Sequence, residues 1–430
     1  MPDYSSLIKL YHVLKEKRTN IQYEIPTLWN RLQFSSEPVR DGVERVNPYD
    51  FLIETIEKAI LPHAVDGREY SQSIAQADGY LQTGGDWIKR ASVYSMQVRT
   101  STSWDHDGSG YVEMENSIGM KDTGTFVKTL ALIPHLLYMG IDTLFLLPIS
   151  QHSHKNKKGE FGSPYAVQDF FGIDEELKET LTGEGLTVEE EFAAFVEACH
   201  MVGIRVVIDV IPRTCARDNR LILENPEWFY WIPVSELDYY HPPHVPGIGE
   251  NVKPEHAFLP MIYGSEDVWA HLRRFSMAPN LVDADKWEKV KAYLFEHPEE
   301  NLLVVIEREF GLTTAPAFSD CINDPQPPWS DVTYFRLFLD HPTAAAPYVS
   351  EATWHRISCL TRLNQINFEA IKSMSRCGRC SPISFRTISV NMELMGLAST
   401  WGTPCLSIWR SRFSNTHARL MPTLASSLKN

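Results

Sequence analysis

Between residues 91 and 214 the apolar and polar positions follow the rhythm of a βα protein. Residues 91–98 (ASVYSMQV) have strand character. In 125–140, Phe126, Leu130, Ile133 and Leu137 form a helical stripe that Gly140 closes. Pro134 lies inside that stripe and predicts a kink or an early boundary. Residues 141–149 (IDTLFLLPI) are apolar on both faces, as a parallel strand between helix layers is. Thr187 and Glu190 form a capping-box pair ahead of Phe192, Phe195, Val196 and Cys199, and Gly203 stops that helix. The run VGIRVVIDVIPRT (202–214) then places Asp209 where a buried strand ends. Strand, helix, strand, helix, strand predicts an α/β fold with a right-handed parallel sheet or barrel. A carboxylate at the C-terminal end of such a strand faces the side on which these folds build their sites.

The flanks read differently. Residues 1–90 predict a mostly helical N-terminal extension, with LIETIEKAI (52–60) its clearest amphipathic piece. Residues 91–210 hold the βα units, and from 211 the rhythm lapses into irregular sequence rich in Pro and Trp, which predicts a long insertion over 211–353. A sharper break follows. Residues 354–430 carry ten Lys and Arg against Glu369 and Glu393, a net of +8, which leaves the first 353 residues at −23. The same segment holds four of the seven cysteines and twelve serines, and its periodicity fades. Two readings stand for it: a stretch translated out of frame, or a basic, Ser-rich disordered tail.

Composition narrows the class. With 43% apolar and 11% aromatic residues, 430 residues can bury a large core. A net charge of −15, with no cationic cluster longer than HKNKKG (154–159), argues against nucleic acid as a partner. That cluster reads as a solvated loop. The N-terminus lacks a continuous apolar core and no run of 18 apolar residues occurs, so neither secretion nor membrane spanning is expected and the cytoplasm is the default address. Seven cysteines scattered without a framework pattern fit a reducing compartment.

From about Val93 to about Trp231 the chain resembles the α-amylase family of glycoside hydrolases. GIDTLFLLPI looks like the second strand of that family's barrel. SPYAVQDFFGID (163–174) is similar to the stretch whose tyrosine stacks beneath the sugar, and VVIDVIPRT to the family's first signature. NKKG, GSPYAVQ and NPEWFYW (225–231) resemble the glucan maltosyltransferase branch. The resemblance implies a (β/α)8 TIM-barrel type of fold, truncated here to about the first three or four βα units. A long insertion would follow strand three and return toward strand four within 211–353. It also implies action on an α-glucan or oligosaccharide through a covalent glycosyl intermediate, by hydrolysis or by transfer, with no cofactor required. Tyr165 would then stack on sugar, Asp169 would be the acidic residue that follows, and Asp209 would lie on the substrate side. Arg213 and Thr214 stand where the signature has Asn and His.

Each of these positions has a plainer alternative. Asp209 also reads as a helix cap, Tyr165 as a half-buried aromatic, and Arg213 as half of a structural ion pair with Asp209 as well as a ligand for a substrate hydroxyl or phosphate. The aromatic run Trp228, Phe229, Tyr230 and Trp231 reads as core more readily than as a sugar platform. In WDHDGSGYVEMEN (104–116), Asp105, Asp107 and Ser109 have the alternate spacing of oxygen ligands for Ca²⁺, although Asn116 stands where an EF-hand has a bidentate Glu. The other reading is a solvated polar turn. Cys199 and Cys215 read as packing residues, and Cys377 with Cys380 lacks the second pair that a zinc site needs.

Retaining glycosidases work with two carboxylates about 5–5.5 Å apart. The family's nucleophile motif has the form G-x-R-x-D, and no such string occurs in the 430 residues. Codons read one phase over across NMELMGLASTWGTP (391–404) force Gly at Met–Glu, Met–Gly and Trp–Gly. The steps between permit Y-G-I-D-G-A-R-V-D-M-G-H-A, which contains the motif. The chain therefore reads as an α-glucan-acting enzyme that has lost its catalytic residues, no residue of it being assigned a catalytic role. The alternative is a non-catalytic half-barrel that binds carbohydrate or a protein.

Overall fold

The computed structural model describes residues 5–63, 88–89, 91–211, 213–336 and 341–350. The segment 354–430, its Cys377 and Cys380, and Pro212 lie outside the described residues. The chain divides into two compact units: residues 5–149 with 175–210, and residues 150–174 with 211–350.

The first unit opens with helix α1 (Ser5–Glu16), which buries Leu7, Leu10 and Leu14 on one face. Its N-terminus is capped from a distance by Glu197, whose Oε2 accepts the Leu7 N–H at 2.7 Å. Strands β1 (Tyr23–Pro26), β2 (Glu37–Arg40) and β3 (Val43–Val46) form an antiparallel sheet in the order β1-β3-β2. The extension thus holds a sheet besides its helices. Strands of four residues are too short to print a period-2 pattern that outweighs the helical stretches around them. Helix α2 (Pro48–Thr55) starts on an Asn47 cap with Pro48 in its first turn, and runs into a π-helical turn at Ile56–Ile60.

The βα part follows as β4 (Val93–Met96), α3 (Val98–Ser101), α4 (Phe126–Thr129), α5 (Ile133–Tyr138) and β5 (Thr143–Leu146). After β6 (Ser150–His152) and β7 (Val167–Ile173), which belong to the second unit, come α6 (Val188–Met201) and β8 (Arg205–Ile208). Strands β4, β5 and β8 pair in parallel in that order, with Val93, Thr143 and Arg205 in one row and Met96, Leu146 and Ile208 in another. Among the described residues this sheet has three strands and does not close into a barrel. The break expected at Pro134 is real: a 3-10 turn at Leu130–Leu132 separates α4 from α5, and the proline sits in the first turn of α5. Helix α6 carries the capping box that Thr187 and Glu190 announce, and Gly203 stops it with φ +84°. The helices meet over Phe126, Phe192 and Phe195, all buried, with ring centroids 4.9 Å apart for Phe126 and Phe192. Each such side chain withdrawn from water contributes roughly 1.5–3 kcal/mol.

The second unit is built from short antiparallel pairs: β6 with β7, β9 (Thr214–Ala216) with β12 (Val332–Tyr334), and β10 (Trp231–Pro233) with β11 (Leu312–Thr314). Between β10 and β11 run α7 (Leu259–Gly264), α8 (Glu266–Arg273), α9 (Pro279–Val282), α10 (Ala284–Glu296) and α11 (Leu302–Phe310). The aromatic run at 228–231 is core, each of its four rings being at least nine-tenths buried. The loop at 154–159 is exposed over most of its length but is not merely solvated. Lys155 pairs with Glu307 at 3.0 Å and Lys158 with Asp331 at 3.5 Å, partners too far along the chain for the sequence to suggest.

Candidate functional site

Asp209 follows directly on the last residue of β8. Its N–H donates to Leu146 O at 2.8 Å, extending the β5–β8 ladder by one rung at the C-terminal end of the sheet. The residue is half-buried, and no helix begins there among the described residues, so the helix-cap reading falls. Asp209 is a carboxylate at the C-terminal end of a parallel strand.

The loop after β4 gathers three carboxylates. Oxygens of Asp105, Asp107 and Asp122 lie within 4.8 Å of one another. Gly108 and Gly110 take φ +73° and +89°, a conformation open to glycine, and turn the chain back over the aspartates. Ser109 donates its N–H to Asp105 Oδ1 at 2.9 Å and to Asp107 Oδ1 at 3.0 Å, while its hydroxyl is 3.5 Å from Asp105 Oδ1. Gly110 N–H donates to Asp105 Oδ2 at 2.8 Å. Asp107 Oδ2 accepts from the hydroxyl and the N–H of Ser117 at 2.5 and 3.0 Å. The Ser117 hydroxyl, with the N–H groups of Ser117 and Ser109, holds the Asp107 carboxyl well below the usual carboxylate range. Asp122, fully buried, accepts from His106 N–H, Asn116 Nδ2 and Glu113 N–H. Sequence spacing missed Asp122, because a long loop and not a local repeat brings it to Asp105 and Asp107. His106 donates its Nδ1–H to Glu24 O at 2.8 Å, and burial pushes its imidazole down to about 2, so it is neutral.

In the second unit, Tyr165 is half-buried in the β6–β7 connection, its N–H 3.2 Å from Ser163 Oγ. Asp169 on β7 pairs with Arg220 at 3.0 Å. Arg213, half-buried, forms an ion pair with Asp320 and lies over the Tyr334 ring at 5.3 Å, while its carbonyl accepts from Phe335 N–H at 3.0 Å. Arg213 thus makes an ion pair with Asp320, more than a hundred residues away, where the sequence offered Asp209. His152, fully buried on β6, meets Asp174 at 2.6 Å, a titratable pair that the sequence reading passed over. The thiols of Cys199 and Cys215 are free, fully buried and pushed up by burial, which suits packing and not nucleophilic chemistry.

No protein-family model matches the chain. Among curated proteins, the chain is 28% identical over 174 residues to an α-1,4-glucan:maltose-1-phosphate maltosyltransferase from Mycolicibacterium smegmatis, over 37% of this chain and 22% of the relative. It is 32% identical over 130 residues to the enzyme of that name from Cereibacter sphaeroides, over 28% of this chain and 21% of the relative. The chain therefore spans about a fifth of the length of these relatives. Among solved structures, an α-amylase from Lactobacillus plantarum is similar over 33% of this chain and 27% of its own, with 29% identity and a TM-score of 0.25. A trehalose-6-phosphate hydrolase from Bacillus licheniformis is similar over 40% and 26%, with 19% identity and a TM-score of 0.25. With the signatures in the sequence, these matches make part of the chain similar to enzymes of the α-amylase family.

Proposed function

We propose that this chain carries the N-terminal part of an α-amylase-type barrel that recognises α-glucans, and that it neither hydrolyses nor transfers them. The single observation that carries the second half is the lack of G-x-R-x-D anywhere in the sequence. Double displacement needs a carboxylate to attack the anomeric carbon and a second group to protonate the leaving oxygen. Asp209 can orient substrate from the end of β8, but it supplies neither the arginine-flanked nucleophile nor its partner. The three parallel strands in sequence order support the reading of about the first three or four βα units, with the second unit grown largely from an insertion after the third. Tyr165, Asp209 and Arg213 remain the residues proposed to meet the sugar. Asp105, Asp107 and Asp122 offer a hard, all-oxygen set that suits Ca²⁺, with Ser109 shaping the loop through its N–H.

The test is to incubate the purified chain with glycogen, with and without maltose 1-phosphate. The expected result is retention of the chain on the glucan with no reducing sugar and no phosphate released. Release of either would overturn the inactive reading, and loss of retention would overturn the glucan reading. We further propose that 354–430 is an out-of-frame product. Resequencing codons 345–405 decides that point, a one-base change restoring the motif being the expected result.

A further inference from the structure

A buried carboxyl group meets a buried hydroxyl where the chain enters α6. Glu191, in the first turn of that helix, is fully buried, and its Oε2 accepts the Glu179 N–H at 2.8 Å. Its Oε1 lies 2.5 Å from Oγ1 of Thr182, which is equally buried. Thr182 Oγ1 also lies 3.0 Å from Glu179 O and 3.4 Å from Lys178 Nζ.

Counting protons decides what these contacts are. A hydroxyl has one proton to give and two lone pairs to offer. The Lys178 ammonium can only donate, so it takes a lone pair. The Glu179 carbonyl can only accept, so it takes the hydroxyl proton. The remaining contact, to Glu191 Oε1, is a hydrogen bond alongside the other two only if Glu191 carries a proton and donates it to Thr182, because the single hydroxyl proton cannot serve both Glu179 O and Glu191 Oε1. The result is a closed ring: Glu191 O–H to Thr182, Thr182 O–H to Glu179 C=O, and Glu179 N–H back to Glu191 C=O. An ionised Glu191 would claim the Thr182 proton and leave two oxygens facing each other at 3.0 Å.

We propose that Glu191 is kept as a neutral carboxylic acid whose proton latches the turn at 179–185 to α6, and that alkali opens this latch. The surroundings agree. Burial pushes the Glu191 carboxyl up to about 8; the Thr182 hydroxyl, the Glu179 N–H and the Lys178 ammonium oppose the rise, and the Glu179 carboxyl adds to it. Glu179 itself turns its oxygens to Thr125 Oγ1, Thr180 N–H and Leu181 N–H. The other titratable groups around the turn are buried Lys128, pushed down to about 8 by burial, Tyr23 and Tyr49, both pushed up by burial, and Lys17, whose Nζ approaches Gly183.

The sign follows from linkage. A group whose folded value is raised contributes stability that is fully present below its ordinary range and is lost as pH rises through the folded value. For Glu191 that window runs from 4.5 to about 8. Lys128 acts with the opposite sign and only above about 8, so the two windows separate. The variant Glu191→Gln tests the idea, because its amide donates to Thr182 and its carbonyl accepts from Glu179. The full chain and the variant are unfolded thermally at a series of pH values from 5 to 9. The expected result is midpoints closest together at pH 5 and a wild-type midpoint that falls progressively below the variant's, levelling off above pH 8. Parallel curves, or a variant weaker by a constant amount, would overturn the proposal. Independently of the variant's folding, wild-type chain labelled with ¹³C at glutamate side chains should show one carboxyl titrating near 8. Titration of every glutamate in the ordinary carboxylate range would equally sink it.

Discussion

Asp107 illustrates how hydrogen-bond donors can stabilise one residue as an anion. Hydrogen bonds from Ser117 and Ser109 lower its pKa, so the stability it contributes is present at neutral pH and is lost as pH falls through the acidic range. Its side chain is near solvent, which keeps that contribution small. The same arrangement orients carboxylate oxygens toward those of Asp105 and Asp122, and this leads to a prediction. Adding Ca²⁺ should raise the thermal midpoint of the chain, by an amount equivalent to about 2.7 kcal/mol at a hundred times the dissociation constant. A chelator should reverse the rise, and Asp107→Asn should abolish it. A midpoint indifferent to Ca²⁺ and chelator alike would leave the loop as a polar turn closed by its own N–H groups.

At the scale of elements, α6 anchors an aromatic cluster in the first unit. Phe192 and Phe195 project from it against Phe126 of α4, and all three rings are sealed from solvent. Phe192→Ala should therefore cost about 3–5 kcal/mol, measured by chemical denaturation followed through far-ultraviolet circular dichroism. A loss under about 1 kcal/mol would mean that the aromatic cluster collapses around the gap. This helix was also the most legible element in the sequence, since the Thr187 and Glu190 pair marks its start and Gly203 its end. The strands β5 and β8 were legible as apolar runs, and Asp209 as the residue that ends the second of them. The second unit was not. Its strands β9 to β12 are three residues long and pair across about a hundred residues, as Trp231 does with Thr314. Such strands are made by packing and leave no periodic trace. Asp122 and Asp320 escaped for a related reason: long loops bring them to Asp107 and Arg213, and no spacing rule reaches that far.

For the whole molecule, the change in charge near residue 354 separates a strongly acidic part from a basic one. If the basic segment has no part in recognition, a chain ending at residue 353 should bind glycogen as the full chain does, in affinity electrophoresis on glucan gels. Weaker binding by the shortened chain would give the segment a role and favour the non-catalytic binding reading. The two units are interleaved along the chain, since residues 150–174 sit inside the first in sequence and belong to the second in space. During synthesis this sets a waiting time. The first unit's last strand, β8, leaves the ribosome soon after β7, but Lys155 and Lys158 must wait for Glu307 and Asp331. At about 5–20 residues per second that delay is roughly 8 to 35 s. Throughout it, the hairpin with its exposed Phe171 has Asp218, Asn219 and Arg220 to bond to Gln168, Val167 and Asp169, while its two lysines have no partner yet made, and that is the interval a chaperone would have to cover.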